Sequence, residues 1–246
     1  MPPVTVEWIR PDWPAPPRVR AGFTTRLGGV SAPPYHALNL GDHVGDDPAA
    51  VDENRRRLTE ALALPAVPRW LNQVHGCRVV SAGEVTAGCE ADASFTRVPG
   101  VVCAVLTADC LPLLLCDREG EGVAAVHAGW RGLADGVVEA AVRRLGLPPE
   151  RLLAWLGPAI GPERFEVGDE VYRRFVQAHP EARAAFRPAA GRWLADIYTL
   201  ARLRLRHCGV EAVFGGDRCT FTEHELFFSY RRDGVTGRMA AVIWLE

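Results

Sequence analysis

Three short apolar runs, VVCAVL (101–106), LPLLLC (111–116) and VAAVHA (123–128), follow one another almost without interruption. Runs of this length bounded by turn residues predict strands buried on both faces. The stretch DREGEG between the second and third predicts a hairpin. Soon after, Ala134, Val137, Val138, Ala141, Val142 and Leu145 recur as one helix face, and Gly146 stands where a C′ glycine belongs. LLAWLG (152–157) is a further buried strand. Strands and helices alternate while hairpins interrupt them, which predicts an α/β fold with mixed rather than purely parallel sheets.

The remaining elements are weaker but readable. Asp47 followed by Pro48 fits an N-cap and first helical position. Val51, Leu58, Ala61 and Leu62 then mark a helix ending before Pro65, with Asp52/Arg56 and Glu53/Arg57 spaced as i,i+4 pairs. Helices are expected near 169–177 and 194–207, and a strand in VEAVFGG (210–216). The tail LFFSYRRDGVTGRMAAVIWL reads as two strands joined by a loop at Asp233-Gly234. A Pro-rich stretch from Pro11 to Pro17 suggests an extended arm within about the first 20 residues. With 246 residues and 48% apolar content, one domain spanning 1–246 is expected.

Composition removes several functions. A net charge of -2 argues against a generic nucleic-acid binder. All 28 basic residues are Arg, so neither a Walker-type phosphate loop nor a Schiff-base lysine is available. No stretch approaches the roughly 20 apolar residues of a membrane span, and the N-terminus lacks the apolar segment of a signal peptide. The expectation is a cytoplasmic protein without membrane, nucleic-acid or obligate protein partners. Seven Cys without a Cys-x-x-Cys pair do not outline a disulfide framework, and Cys103 and Cys116 read as core residues.

Reactive side chains gather where apolar runs end, in NQVHG (72–76), TADCLP (107–112) and VHAGWRG (126–132). Ligands of α/β proteins bind at such strand ends. His75, Cys110 and His127 are therefore candidates for one site. Two imidazoles and a thiolate suit Zn²⁺ or copper, and three protein ligands leave an open position. A Cys–His nucleophile pair and purely structural roles stand beside that reading. Asp109 is a candidate acid/base or imidazole-orienting group. Arg26, next to Gly28-Gly29, offers a fork for phosphate or carboxylate. Asn39 and His43 are candidate pocket residues, and Trp130 with Arg131 offers a stacking surface for a planar ligand.

The segments TTRLGGVS, LNLGDHVGDD, NQVHG, CEADAS, TADCLPLLLC, AAVHAGWRG, AWLGPAIGP, FEVG, LADIYTLA, FGGDRCT and FFSYRRDGVTGRMAAVIWL carry a resemblance along nearly the whole chain. The chain resembles the YfiH family of laccase-domain or polyphenol-oxidase-like proteins, related to human FAMIN. The resemblance implies a three-layer α/β/α domain with mixed sheets and a metal held by His75, Cys110 and His127. It implies phosphorolysis of adenosine, inosine and S-methyl-5′-thioadenosine to free base and ribose 1-phosphate, with adenosine deamination. Zn²⁺ is the expected cofactor, and purine nucleoside and phosphate the expected partners. Copper-dependent phenol oxidation and Cys–His amidase editing of peptidoglycan precursors are the alternatives the family brings. Against ordinary laccase chemistry, the chain has no His-x-His pair.

Overall fold

The apolar runs at 101–128 become strands, yet they are divided between two sheets. The computed structural model describes residues 5–246. The chain begins with β1 (Trp8–Ile9), β2 (Val19–Thr24) and α1 (Pro48–Ala61). Five strands follow: β3 (Val79–Ser81), β4 (Ala93–Thr96), β5 (Val102–Thr107), β6 (Leu111–Asp117) and β7 (Val123–Ala128). Then come α2 (Trp130–Asp135), α3 (Val137–Leu145), β8 (Leu152–Leu156), β9 (Glu166–Val167) and α4 (Asp169–Ala178). The last part holds β10 (Phe186–Ala189), β11 (Arg192–Ala195), α5 (Ile197–His207), β12 (Ala212–Gly215), α6 (Tyr230–Asp233) and β13 (Met239–Leu245).

A six-stranded mixed sheet has the order β12-β8-β6-β7-β4-β3. Its β6–β7 pair is the expected hairpin, with Leu111 opposite Ala128. β5 instead pairs with β13 in a four-stranded antiparallel sheet of order β1-β2-β13-β5. A small sheet, β10-β11-β9, lies apart from these in the hydrogen-bonding order.

Side-chain alternation shows how the two large sheets stack. Leu113 and Leu115 of β6 pack with Leu133, Val138, Val171 and Leu205 of the helices. Leu114 and Cys116 point the other way, against Phe23, Cys103, Val105, Ala241 and Ile243 of the second sheet. The outer face of that sheet (Val102, Ala104, Leu106) meets Leu58 of α1. The fold is mixed α/β with mixed and antiparallel sheets, and its middle layer consists of two sheets face to face. That is why every residue of β5, β6 and β7 is buried. Among the described residues, no helix is long and apolar enough to cross a membrane.

Several local expectations need correction. The helix read through 134–145 is broken at Gly136, whose φ of 99° ends α2 and starts α3. Gly146, at φ 64°, caps α3 as expected. Asp47 does cap α1, accepting from the Ala49 N–H at 3.0 Å. Glu53 pairs with Arg57, but Arg56 pairs with Glu53 and Glu60 rather than Asp52. Of the two strands read in the tail, only β13 forms. Phe227 and Phe228 are apolar because they plug the space between the sheets, and Ser229 caps α6. Residues 192–195 form β11, so α5 starts only behind its Asp196 cap. Within the expected N-terminal arm, residues 1–4 lie outside the described residues. Trp8 and Ile9 pair with β2, and Trp13 and Ala15 pack against the intersheet core.

Candidate metal centre and cleft

Cys110 owes its place to the crossing between sheets. Residues 108–110 leave β5 in one sheet and enter β6 in the other, turning through Asp109 at φ 89°. His127 lies near the end of β7, on the face it shares with Val123 and Ala125, which points between the sheets. His75 comes from the loop before β3, also with a left-handed backbone, at φ 60°. Gln73 secures that loop: its amide donates to the Leu106 carbonyl at 2.8 Å and accepts from the Leu106 N–H at 2.7 Å.

Asp92, fully buried, links the two imidazole-bearing segments. It accepts from the backbone N–H groups of Val74 (3.3 Å), His75 (2.9 Å) and Gly76 (2.7 Å). It also accepts from His127 Nδ1 at 2.8 Å, which leaves Nε2 of that ring for other partners. Cys110 Sγ lies 3.8 Å from His75 Nε2, and the ligand atoms of His75, Cys110 and His127 all fall within 4.8 Å of one another. With metal–ligand bonds of 2.0–2.3 Å, tetrahedral ligands sit about 3.5 Å apart, so the observed spacing fits one ion. The carboxylate behind His127 is the usual outer support of a metal-binding imidazole. Gly129 completes the cradle. A Cβ there would stand 2.9 Å from the His75 ring and 3.1 Å from Cys110 Sγ.

The charges fit the same picture. Burial opposes ionisation of Cys110, but the His127 and His75 imidazoles outweigh it and bring the thiol down to about 6. Burial also acts against charge on His127, while the Cys110 thiolate and the Asp92 carboxylate lift it to about 9. Asp92 stays below the usual carboxylate range because His127 and the Gly76 and His75 N–H groups overcome its burial. By contrast, burial alone pushes Cys103 up to about 12.

A cleft of about 220 Å³ opens over this cluster. His75, Cys110 and Asp109 lie in it, with Trp130, Arg131, Ile160, Phe165, Ile197, Tyr230 and Arg231 around them. The Arg131 guanidinium lies 4.4 Å from the centre of the Trp130 ring. The family described as multi-copper polyphenol oxidoreductase laccase matches residues 20–246. The chain belongs to this family.

Two bacterial relatives are similar over nearly full length. "Purine nucleoside phosphorylase PA4543" of Pseudomonas aeruginosa is 60% identical over 97% of this chain and 98% of its own. "Purine nucleoside phosphorylase YfiH" of Escherichia coli is 58% identical over 96% and 98%. The solved structure of Neisseria meningitidis protein NMB0706 superposes with a TM-score of 0.94 at 51% identity, covering 97% of this chain and 99% of that one. YlmD from Geobacillus stearothermophilus gives 0.87 at 33% identity, covering 99% and 100%.

The other residues singled out from sequence fall into two groups. Trp130, Arg131 and Asp109 reach the cleft, but both Asp109 oxygens are engaged. They accept from the Thr220 hydroxyl and the Arg231 N–H, each at 2.6 Å, which ties the 230–231 segment down. Arg26, Asn39 and His43 do not line the cleft. Arg26 donates to the carbonyls of His36 (2.9 Å) and His224 (3.0 Å) and stacks on Phe228, so much of its fork is spent on the chain itself. Asn39 is buried and accepts from the Arg238 N–H at 2.9 Å. His43 is largely exposed, and partial desolvation and the Arg238 cation lower its pKa.

Arg238 itself escaped notice. Burial depresses it, while the charges of Cys110, Asp109 and the nearby tyrosines 230 and 35 act the other way. It sits immediately before the apolar run MAAVIWL, at a strand start rather than a strand end, and donates to the Thr236 and Gly237 carbonyls at 2.9 and 3.0 Å. Asp92, Gln73 and Gly129 were likewise missed. Only their nearness to the ends of apolar or motif segments hinted at them.

Proposed function

We propose that this family member is a cytoplasmic purine nucleoside phosphorylase. Its substrates would be adenosine, inosine and S-methyl-5′-thioadenosine, with Zn²⁺ as its metal and hydrolytic deamination of adenosine at the same cleft. The observation that carries the reading is the joining of a metal-type His–Cys–His set to an aromatic, arginine-rimmed cleft. That combination occurs in a chain 60% identical to a relative named purine nucleoside phosphorylase. In phosphorolysis a phosphate oxygen bonds to the sugar C1′ as the bond to the base nitrogen breaks, and the departing base takes up a proton. Zn²⁺ held by His75, Cys110 and His127 would supply Lewis acidity beside the substrate.

The chain's own residues supply the rest. Trp130, Phe165 and Ile160 give a flat apolar wall for a purine, and the cation stacked on Trp130 favours a π-rich ligand. Arg131 and Arg231, which line the cleft, are the phosphate contacts of choice in place of Arg26, which does not. Asp109 acts as a positioning residue that holds Arg231 and Thr220, not as the proton carrier.

One observation favours a second reading, a metal-free Cys–His hydrolase. Cys110, His127 and Asp92 stand in the order of nucleophile, base and orienting carboxylate. Copper oxidation of phenols is favoured only by the family's description.

Inosine turnover with and without phosphate, on purified zinc-loaded protein, decides among these. Phosphate-dependent release of hypoxanthine and ribose 1-phosphate is expected. Arg131→Ala should raise the KM for phosphate on the order of a hundredfold, with adenosine deamination much less affected. Arg26→Ala should leave that KM nearly unchanged. Absence of phosphate-dependent base release would overturn the proposal.

A further inference from the structure

A second cluster with metal-binding chemistry lies well away from the cleft. α5 presents Ile197 to the cleft at its start and ends at His207, about 15 Å further along the helix. There His207 meets His179, which follows α4, and Glu181 of the short helical turn after it. Glu181 Oε1 is 2.7 Å from His207 Nε2 and 3.8 Å from His179 Nδ1. The two rings lie 4.6 Å apart, and one ligand atom from each of the three residues falls within 4.8 Å of the others.

We infer that His179, Glu181 and His207 form a second binding site for a divalent transition-metal ion, with Zn²⁺ its natural probe, stapling the end of α4 to the end of α5. The proposal is independent of the function assigned to the cleft. Two imidazole nitrogens and one carboxylate oxygen are a Zn²⁺ donor set, and solvent supplies the remaining positions. Tetrahedral ligands on Zn²⁺ stand about 3.4 Å apart, and the distances of 2.7 and 3.8 Å bracket that value.

Placement favours an ion over a chance surface contact. His179 and Glu181 share one helical turn, and His207 reaches them from the far end of α5, an element with no need to converge on that turn. His179 is set by its N–H donating to the Phe175 carbonyl at 2.9 Å, and its own carbonyl accepts from Ala182 at 2.9 Å. Ala182, Phe175 and Leu205 anchor these elements in the core beneath. Arg204, whose charge is felt at His179, is paired with Glu139 at 2.6 Å, and the ion-pair contacts of Glu181 among the described residues are the two imidazoles. The side chains are 32%, 45% and 35% exposed, open enough for an ion to enter.

The test is zinc stoichiometry on tag-free protein stripped with chelator and then titrated calorimetrically. The wild type should take up two equivalents, and the doubly substituted His179→Ala/His207→Ala protein one fewer, with unchanged kcat/KM for inosine phosphorolysis. A His75→Ala/His127→Ala protein should keep one equivalent with Kd below about 10 μM, and zinc should still raise its Tm. If the wild type takes one equivalent that vanishes with His179 and His207, this site stands and the metal at the cleft falls. If removing His179 and His207 changes neither stoichiometry nor the zinc-dependent Tm, the second site is refuted.

Discussion

The two histidine clusters use similar donors and differ in what holds them. At the cleft, His127 is 3% exposed and braced by Asp92, the loop bearing His75 is pinned by the same carboxylate and by Gln73, and Gly129 keeps side chains out. At the outer cluster, Glu181 is the ion-pair partner of both imidazoles, and all three side chains face solvent in part. The first is braced by hydrogen bonds from several segments, the support that a reacting site requires. The second lacks such bracing, and its side chains are partly open to solvent. Donor identity marks where a metal can bind; the supporting groups decide whether it can do chemistry.

The strongest way to break this contrast is Cys110→Ala. It should remove the cleft metal and lower phosphorolysis on the order of a thousandfold or more, while the zinc equivalent at His179 and His207 remains. A fully metallated, folded but inactive Cys110→Ala protein would favour the cysteine-hydrolase reading instead.

Asp92→Asn sharpens the comparison by touching only the support. The loss of the carboxylate behind His127 should weaken zinc binding at the cleft by roughly 10–100-fold, and leave the outer site unchanged. Competition with a chromophoric chelator measures both at once.

The thiol supplies a pH test. The imidazoles lower the Cys110 pKa to about 6, so its thiolate persists above that pH and is lost as pH falls through it. At pH 7 the thiolate fraction of metal-free protein should exceed that of an ordinary cysteine by about thirtyfold. Iodoacetamide labelling followed by peptide mass analysis should show a midpoint near pH 6 at Cys110, slow labelling after zinc is added, and none at buried Cys103. A midpoint near pH 8.5 would show that the imidazoles do not stabilise the thiolate.

The smallest effect belongs to the outer cluster. Without zinc, His207→Ala should shift Tm by less than about 2 °C, because a half-exposed imidazole–carboxylate pair contributes little. A larger drop in metal-free protein would mean that the contact, rather than an ion, holds the ends of α4 and α5 together.

What could be read in advance follows the range of the forces involved. The buried strands, the hairpin at 111–128, the Asp47 cap and the Gly146 stop depend on neighbours close in sequence, and their patterns were legible. His75, Cys110 and His127 were also legible as candidates for one site, because reactive side chains at the ends of apolar runs sit where α/β proteins bind ligands. The resemblance, not their spacing, made a shared metal the expected role. The Gly136 break was hidden because the apolar spacing continues across it while the backbone turns left-handed. Phe227 and Phe228 mimicked a strand because a plug between sheets needs the same apolar surface as a strand does.

By itself, then, the amino-acid sequence determined which segments are buried and offered His75, Cys110 and His127 as candidates for one site, since burial and donor chemistry are properties of individual residues. Only the tertiary structure decided that β5 and β6 belong to facing sheets, which is what brings Cys110 between His75 and His127. It also decided that Arg26 bonds the carbonyls of residues 36 and 224, outside its own neighbourhood in the chain, whereas the carbonyls that Arg238 bonds belong to its own neighbours 236 and 237. An arginine's role depends on which acceptors reach it first. Those acceptors arrive from strands and loops up to 198 positions away in the chain.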